Sequence, residues 1–302
     1  MRKIPRHVPV ALALVLGLFS TACITKGTRK VRGASSATAP TLLTATREEL
    51  NSRIAAAYNS ITSFQATVEL SASVGSVYKN SITDYQDVHA YILLRKPSDI
   101  RLLGKLPVVG STAFDMVSNG STFRVLIPPK NKFITGENSA PPVSKNSLEN
   151  LRPQALLGPM MIRSLGEGES MLLEDDTDEH SSFYVLHFIH PGPKGTFYVR
   201  RAVWFNREKD LAISRQREYD EDGLITSDTT YKNWTAYNGI SFPQNIDIKR
   251  PKDGYGVTMA IEKMEMNLNL ADDKFVLNQP PDTQLQVLGA TPEKAPEKTP
   301  NK

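Results

Sequence analysis

Cysteine, tryptophan and long apolar runs are all scarce in this chain. Its 302 residues include one cysteine, Cys23, and two tryptophans. A single cysteine excludes an internal disulfide. The apolar run from Val8 to Phe19 has about 12 residues, too few to cross a hydrocarbon core of about 30 Å at about 1.5 Å per residue. The run therefore fits the apolar part of a secretory signal better than a membrane-spanning helix.

Signatures of catalysis and metal binding are also missing. The sequence has neither a Gly-x-Ser-x-Gly nucleophile elbow nor a glycine-rich phosphate loop followed by lysine. His187 and His190 lie three residues apart in a strand-like segment, so their side chains would point to opposite faces. The acidic run from Glu174 to Glu179 lacks the glycine and ligand spacing of a calcium loop and predicts a solvated turn. The sequence therefore predicts no enzyme activity, no metal and no other cofactor.

Charge of one sign is not in excess either. The chain has 36 basic and 32 acidic residues, and the difference is concentrated in its first 32 residues. A span of mixed, nearly balanced charge argues against nucleic acid as a partner.

The beginning of the chain has the layout of a secretory signal. Three basic residues precede the apolar run, and small residues separate that run from Cys23. This arrangement resembles the lipobox of bacterial lipoproteins, with Ser20 at the position that usually holds leucine. The resemblance implies a signal peptide over residues 1–22, removed so that Cys23 receives diacylglyceryl and N-acyl (palmitate-type) chains. The alternative is an ordinary secreted protein in which Cys23 is a free thiol.

Composition divides the rest of the chain into three parts. Residues 23–45 carry the lipidated cysteine and then a flexible tether rich in serine, threonine and alanine. Residues 46–288 are predicted to fold. Residues 289–302 repeat proline, glutamate and lysine and are predicted to be disordered. Ile24, rather than aspartate, follows the cysteine, which favours an outer-membrane location facing the periplasm.

The folded span opens with a helix and continues with strands. Thr46 and Glu49 form a capping-box pattern, and apolar residues follow at helical spacing. After Ser63 the period changes to two, and Asn-Gly or Asp-Gly pairs at 119–120, 222–223 and 238–239 predict hairpins with type I′ turns. We count ten or eleven strands, mostly antiparallel.

Two irregular segments refine this prediction. In the last long strand, the apolar residues change parity between Ile261 and Met264, which predicts a β-bulge near Glu262–Lys263. Between the two blocks of strands, an apolar segment is divided by Pro153 and Pro159, which predicts short helical pieces. The apolar face of the predicted sheet could either pack into a filled core or surround a cavity, and composition does not distinguish these two arrangements.

Three segments resemble the LolA/LolB superfamily of lipoprotein carriers and receptors. The first is "KPSDIRLLG". The second is the hairpin "FDMVSNGSTFRVLIPP", with its motif at Asn119, Gly120, Phe123, Ile127 and Pro128. The third is "YKNWTAYNGISFPQNIDIK", with its motif at Tyr237, Gly239, Ile240, Phe242 and Pro243. The chain departs from the soluble carrier by its own lipid anchor, and from the superfamily by its tail.

The resemblance implies an α+β fold: an open, strongly curved antiparallel β half-barrel with an N-terminal helix and short lid helices. It also implies an apolar cavity for lipid or lipoprotein acyl chains, used in lipid transfer or outer-membrane biogenesis. The predicted lining comprises Phe114, Met116, Phe123, Val125, Met160, Met161, Val203, Phe205 and Met259. A predicted membrane-contact loop comprises Leu106, Val108 and Val109.

Two rival interpretations remain at this point. The first is a non-catalytic envelope scaffold with a filled core, whose edges or tail bind a partner protein. The second is a hydrolase whose site has no recognised motif. Both rivals leave the lipid anchor at Cys23 in place.

Overall fold

The structure, a computed structural model, describes residues 41–76, 81–85, 87–140 and 151–288. The predicted signal peptide, Cys23, most of the tether and the C-terminal tail lie outside the described residues.

The described residues form two α-helices and fifteen strands. Helix α1 spans Arg47–Ser60 and helix α2 spans Gln154–Met160. The first strands are β1 Ser63–Ser76, β2 Ser81–Asp84, β3 Val88–Arg95, β4 Asp99–Lys105, β5 Thr112–Ser118, β6 Thr122–Ile127 and β7 Lys132–Glu137. The later strands are β8 Ser170–Thr177, β9 Ser182–Pro191, β10 Phe197–Asn206, β11 Ala212–Tyr219, β12 Ile225–Tyr237, β13 Ile240–Arg250, β14 Tyr255–Met266 and β15 Gln284–Leu288.

All the strands belong to one large, open, curved sheet. Its order is β15-β7-β6-β5-β4-β3-β1-β14-β13-β12-β11-β10-β9-β8, and β2 pairs with β1 beside this path. Neighbours are antiparallel except for β15, which runs parallel to β7. The sheet therefore confirms the predicted open antiparallel architecture, while the role of the helices as a lid stays a prediction.

Helix α1 forms where the capping pattern predicted it. The Glu49 backbone N–H donates to Thr46 Oγ1 at 3.2 Å, and the Thr46 backbone N–H donates to Glu49 Oε2 at 2.7 Å. These reciprocal bonds satisfy two amides that a helix start leaves without partners. The apolar stripe brings Leu50 and Ile54 against the sheet, where both are almost completely buried.

The predicted bulge in β14 is present. Thr67 of β1 lies opposite Lys263, while the next residue, Val68, lies opposite Ile261, so Glu262 is the extra residue. The bulge lets Ile261 and Met264 face the same interior despite their opposite parity, and both are buried.

The predicted hairpins all form, but their turns differ. Asn238 and Gly239 both have positive φ, 51° and 79°, as a type I′ turn requires. At the other two turns only the glycine has positive φ, 94° at Gly120 and 78° at Gly223. At Asn119 the reason is local, because its side-chain Oδ1 accepts from the Ser121 and Thr122 backbone N–H groups and so shapes the turn itself.

The sheet has more strands than the ten or eleven predicted from the sequence. Strands β2, β7, β8 and β15 account for the difference. Strand β8 includes Glu174 to Thr177, a stretch predicted to be a solvated turn, because an edge strand needs few apolar residues and tolerates charge. Strand β15 forms by pairing with β7 far along the chain, and such long-range pairing leaves no local sequence pattern.

The antiparallel register brings many turns to the same end of the sheet. This end carries the connections β4–β5, β6–β7, β9–β10, β11–β12 and β13–β14, and we call it the β4–β5 rim. The opposite end carries the turns at Asn119–Gly120 and Asn238–Gly239.

Candidate functional site

A largely apolar cavity of about 210 Å³ lies on the inner face of the sheet near the β4–β5 rim. Its deep walls are buried aliphatic side chains from five strands, from the segment that precedes α2 and from α2 itself. They are Leu70, Leu102, Met116, Val125, Leu151, Leu156 and Val257. An apolar cavity of roughly 150 Å³ in a protein stays dry and admits benzene, so this cavity is suited to a hydrocarbon guest.

Strand periodicity explains why these residues meet. Alternate side chains of a strand point to one face, and the register places Leu102 opposite Met116 and Met116 opposite Val125. Strand β1 pairs with β14, and this register places Ala72 opposite Val257. Leu156 of α2 completes the wall from above the sheet.

Phe114 forms one side of the cavity because Gly104 leaves space for its ring. A methyl group at Gly104 would lie 2.5 Å from the Phe114 ring, closer than carbon atoms can approach. The two residues are paired across β4 and β5. Glycine at 104 therefore sets the position of an aromatic wall.

The mouth of the cavity is marked by exposed and half-buried residues at the β4–β5 rim. Tyr85 and Lys130 are exposed, while Ala113, Phe114 and Ile127 are half-buried. Lys130 ends the short 3-10 turn Pro128–Lys130 that joins β6 to β7. The cavity thus passes from an aliphatic interior to a mouth with an ammonium group and a phenol.

The nine predicted lining residues occupy four environments. Phe114, Met116 and Val125 line the 210 Å³ cavity. Met160 and Met161 line a smaller hollow of about 40 Å³ between α1 and α2, and Phe205 lines a wide, mixed groove of about 1070 Å³. The remaining three are packed into the core: Phe123, Val203 and Met259. The structure therefore brings three of the nine together, and their role as ligand contacts stays a prediction.

The sequence interpretation missed most of the cavity wall. Leu70 and Ala72 belong to a strand whose alternation was clear, but the pairing of β1 with β14 could not be predicted from local pattern. Lys130 gave no signal, because a lysine after two prolines is typical of any surface turn.

A second cavity, of about 390 Å³, lies on the other side of α2 and is polar. Arg201 holds the segment after α2 to the sheet by donating to the carbonyl oxygens of Arg163 and Ser164, the latter at 2.7 Å. It also donates to Glu169 Oε2 at 3.0 Å, and its guanidinium lies 3.6 Å from the centre of the Phe188 ring. Burial lowers the pKa of Arg201. This cleft is lined by charge and is unsuited to a hydrocarbon chain.

Two tyrosines and one arginine, Tyr231, Tyr255 and Arg152, are buried and have shifted pKa values. Burial raises the pKa of Tyr255 to about 12 and raises that of Tyr231 well above its usual value. The Tyr231 hydroxyl donates to the Pro159 carbonyl oxygen at 2.8 Å and so ties α2 to the sheet. Burial lowers the pKa of Arg152, whose guanidinium lies 4.4 Å from the centre of the Phe123 ring. These shifts reflect desolvation rather than an acid–base pair arranged for catalysis.

The β4–β5 loop presents apolar side chains to solvent. Val108 is 105% exposed and Val109 is 72% exposed. Val108 also has a φ of 70°, a conformation that β-branched residues rarely adopt. The loop is closed by hydrogen bonds from the Leu106 N–H to Ser111 O at 2.8 Å and from the Gly110 N–H to Leu106 O at 3.0 Å. The loop therefore holds Val108 outward despite a cost in backbone strain.

Exposed apolar residues are concentrated at this rim. Besides the two valines, Phe197 follows the β9–β10 turn and Leu224 follows the β11–β12 turn, and both are more than half exposed. At the opposite end, the turns Asn119–Gly120, Asp178–Ser181 and Asn238–Gly239 are polar. The apolar cavity therefore opens on the more apolar end of the sheet.

Within residues 41–76, 81–85, 87–140 and 151–288, no three His, Cys, Asp or Glu side chains are grouped to hold a metal ion. No helix in these same ranges has the length and apolarity needed to cross a membrane.

Several solved structures are similar to the chain, although no protein-family model and no curated protein matches it. A DUF1329 family protein from Desulfovibrio piger has 15% identity and a TM-score of 0.48, with 76% of this chain and 95% of that chain covered. A LolA superfamily protein from Nitrosomonas europaea has 14% identity and a TM-score of 0.47, with coverage of 75% and 97%.

A third similar structure is a putative outer membrane lipoprotein-sorting protein domain from Vibrio parahaemolyticus. It has 13% identity and a TM-score of 0.44, with 76% of this chain and 94% of that chain covered.

Proposed function

We propose that this protein is a non-enzymatic lipoprotein of the bacterial envelope that binds an acyl chain of a lipid or lipoprotein in its apolar cavity. The single observation that supports this most is the aliphatic cavity of about 210 Å³ opening at the β4–β5 rim. An unoccupied apolar cavity has a cost, because its lining atoms lose packing contacts. A guest hydrocarbon restores those contacts.

The energetics favour a carrier without covalent chemistry. Each CH₂ group that leaves water contributes about 0.8 kcal/mol, so a chain segment of several carbons supplies useful affinity. Release requires an equally apolar destination, and a membrane provides one. A protein that moves a chain between two such environments needs only a cavity and access to the bilayer.

The β4–β5 rim is the part of the domain that we propose contacts the membrane. Val108 and Val109 are exposed within the β4–β5 loop, which is closed by its own hydrogen bonds. Inserting such side chains into lipid removes apolar area from water at no cost in loop ordering. A chain could then enter the cavity from the bilayer without crossing water.

The lipid anchor completes the proposal. Acylated Cys23 would hold the chain at the outer membrane, facing the periplasm, and the tether over residues 23–45 would let the domain reach the bilayer. One acyl group gives marginal binding, whereas the two or three chains of a lipoprotein anchor stably. The proposed parts are therefore a signal peptide over residues 1–22, an anchor and tether, a binding domain over 46–288 and a tail over 289–302.

Uptake of a hydrocarbon ligand tests the proposal. We expect the chain with Cys23→Ser, purified without detergent, to bind palmitate with a stoichiometry of one, detected by native mass spectrometry and by displacement of a fluorescent fatty acid. A protein that takes up neither palmitate nor an acylated peptide would instead favour the scaffold with a filled core.

A further inference from the structure

We propose that the cavity takes one acyl chain of an anionic amphiphile, and that the Lys130 ammonium group binds its carboxylate or phosphate at the mouth. This inference rests on the proposed function, because it names the chemical class of the ligand for the same cavity. It depends on two observations, the size of the cavity and the charge at its mouth.

The size of the cavity indicates one chain. Benzene, with six carbons, fits an apolar cavity of roughly 150 Å³, so a cavity of about 210 Å³ holds a single chain segment of somewhat greater length. Three chains side by side would need several times that volume. The buried walls, from Leu70 on β1 to Leu156 on α2, surround this space on the sides away from the rim.

The charge at the mouth indicates the head group. Among the described residues that line the cavity, Lys130 supplies a positive charge and none supplies a carboxylate. The turn Pro128–Lys130 places the Lys130 backbone at the mouth, because two prolines restrict that turn and the side-chain amide of the following Asn131 donates to Asp282 O at 3.0 Å. An ammonium group carries three donors, so it can bind an anion in addition to its contacts within the protein.

The two parts of the site match the two parts of an amphiphile. A chain in the aliphatic interior leaves its polar head at the rim, where Lys130 and the Tyr85 side chain are exposed. A neutral head of the same length would gain the apolar burial but not the charge interaction. Fatty-acid carboxylates and lysophospholipid phosphates share the required chemistry, and the experiment below separates these two sources.

The test compares ligands of equal chain length and different head groups on the full chain with Cys23→Ser. The ligands have chains of about eight carbons, the length that the cavity holds, so that the head group lies at the mouth. Affinities are measured at alkaline pH, where the carboxylate is ionised, for octanoate, octanol and octanoyl lysophosphatidylglycerol. We expect octanoate to bind about fivefold more tightly than octanol, as for a charge pair in contact with solvent. Lys130→Met, which keeps an apolar stem at the mouth, should remove this preference without weakening octanol binding.

A matched control separates a specific role from a general charge effect. Lys194 is exposed on the β9–β10 turn at the same rim but does not line the cavity, so Lys194→Met should keep the preference for octanoate. If the lysophosphatidylglycerol also binds more tightly than the alcohol, and Lys130→Met removes this preference, phosphate is an accepted head group. If the lysophosphatidylglycerol binds no more tightly than the alcohol, the ligand is restricted to carboxylates.

Two results would overturn the inference in different ways. If octanoate and octanol bind equally to the unmodified cavity, or if the preference survives Lys130→Met, the anionic head-group site is wrong while the chain-binding function stands. If neither ligand binds, the proposed function itself fails, and the head-group site fails with it.

Discussion

Replacing Ala72 by phenylalanine is expected to lower the affinity for an acyl chain at least tenfold while leaving the protein folded. Ala72 is half-buried on β1, opposite Val257, and lines the cavity. A phenyl ring has about the size of benzene, which fills a cavity of roughly 150 Å³, so little of the 210 Å³ would remain for a ligand. Filling an apolar cavity usually stabilises a protein by about 0.5–2 kcal/mol. The midpoint temperature of thermal unfolding should therefore not be lower than that of the parent chain.

The same substitution on the opposite face of the sheet provides the control. Ala260 is also half-buried, and it lies on β14 one position from Met259, whose side chain faces the interior. Ala260→Phe should therefore leave chain binding unchanged in a fluorescence displacement titration. Equal affinity of Ala72→Phe and the parent chain would show that the hydrocarbon binds elsewhere.

Charging the β4–β5 loop is expected to produce the second large effect, a loss of vesicle binding. Fully burying one valine contributes about 1.5 kcal/mol, which is roughly a tenfold change in partitioning. Val109→Asp should thus lower binding of the Cys23→Ser chain to vesicles of phosphatidylethanolamine and phosphatidylglycerol about tenfold. The double variant Val108→Asp/Val109→Asp should lower it further. Co-sedimentation measures both.

An exposed valine away from this rim tests whether position matters. Val276 is 50% exposed and lies close to the Asn119 turn, at the opposite end of the sheet. Val276→Asp should change vesicle binding little. If it weakens binding as much as Val109→Asp, or if the loop variants bind vesicles normally, the rim does not contact the bilayer. Palmitate affinity in solution should be retained by all three variants.

Local sequence pattern predicted the elements whose causes are local. Thr46 and Glu49 specify the start of α1 because their reciprocal hydrogen bonds involve residues three apart. The bulge at Glu262 is visible as a change of parity within one strand, since both apolar sets must reach the same core.

The candidate site was less predictable because its parts come from distant segments. Leu70 and Val257 meet through the pairing of β1 with β14, and Leu151 and Leu156 reach the cavity from the segment between the two blocks of strands. The predicted lining consisted of large apolar side chains, three of which fill the core instead: Phe123, Val203 and Met259. Small residues were not among the predicted lining residues, although they leave space for the cavity. Gly104 leaves room for the Phe114 ring, and the small side chain of Ala72 lines the cavity without filling it.

Mapping where a bound chain lies would test the central claim most directly. Palmitate carrying a photoreactive diazirine near the middle of its chain can be crosslinked to the protein, and the labelled peptides identified by mass spectrometry. If the chain occupies the cavity, saturable labelling should fall on the strand segments that hold Leu102, Met116 and Val125, and it should disappear in Ala72→Phe. Saturable labelling confined to the outer face of the sheet, or unaffected by Ala72→Phe, would contradict a function based on this cavity.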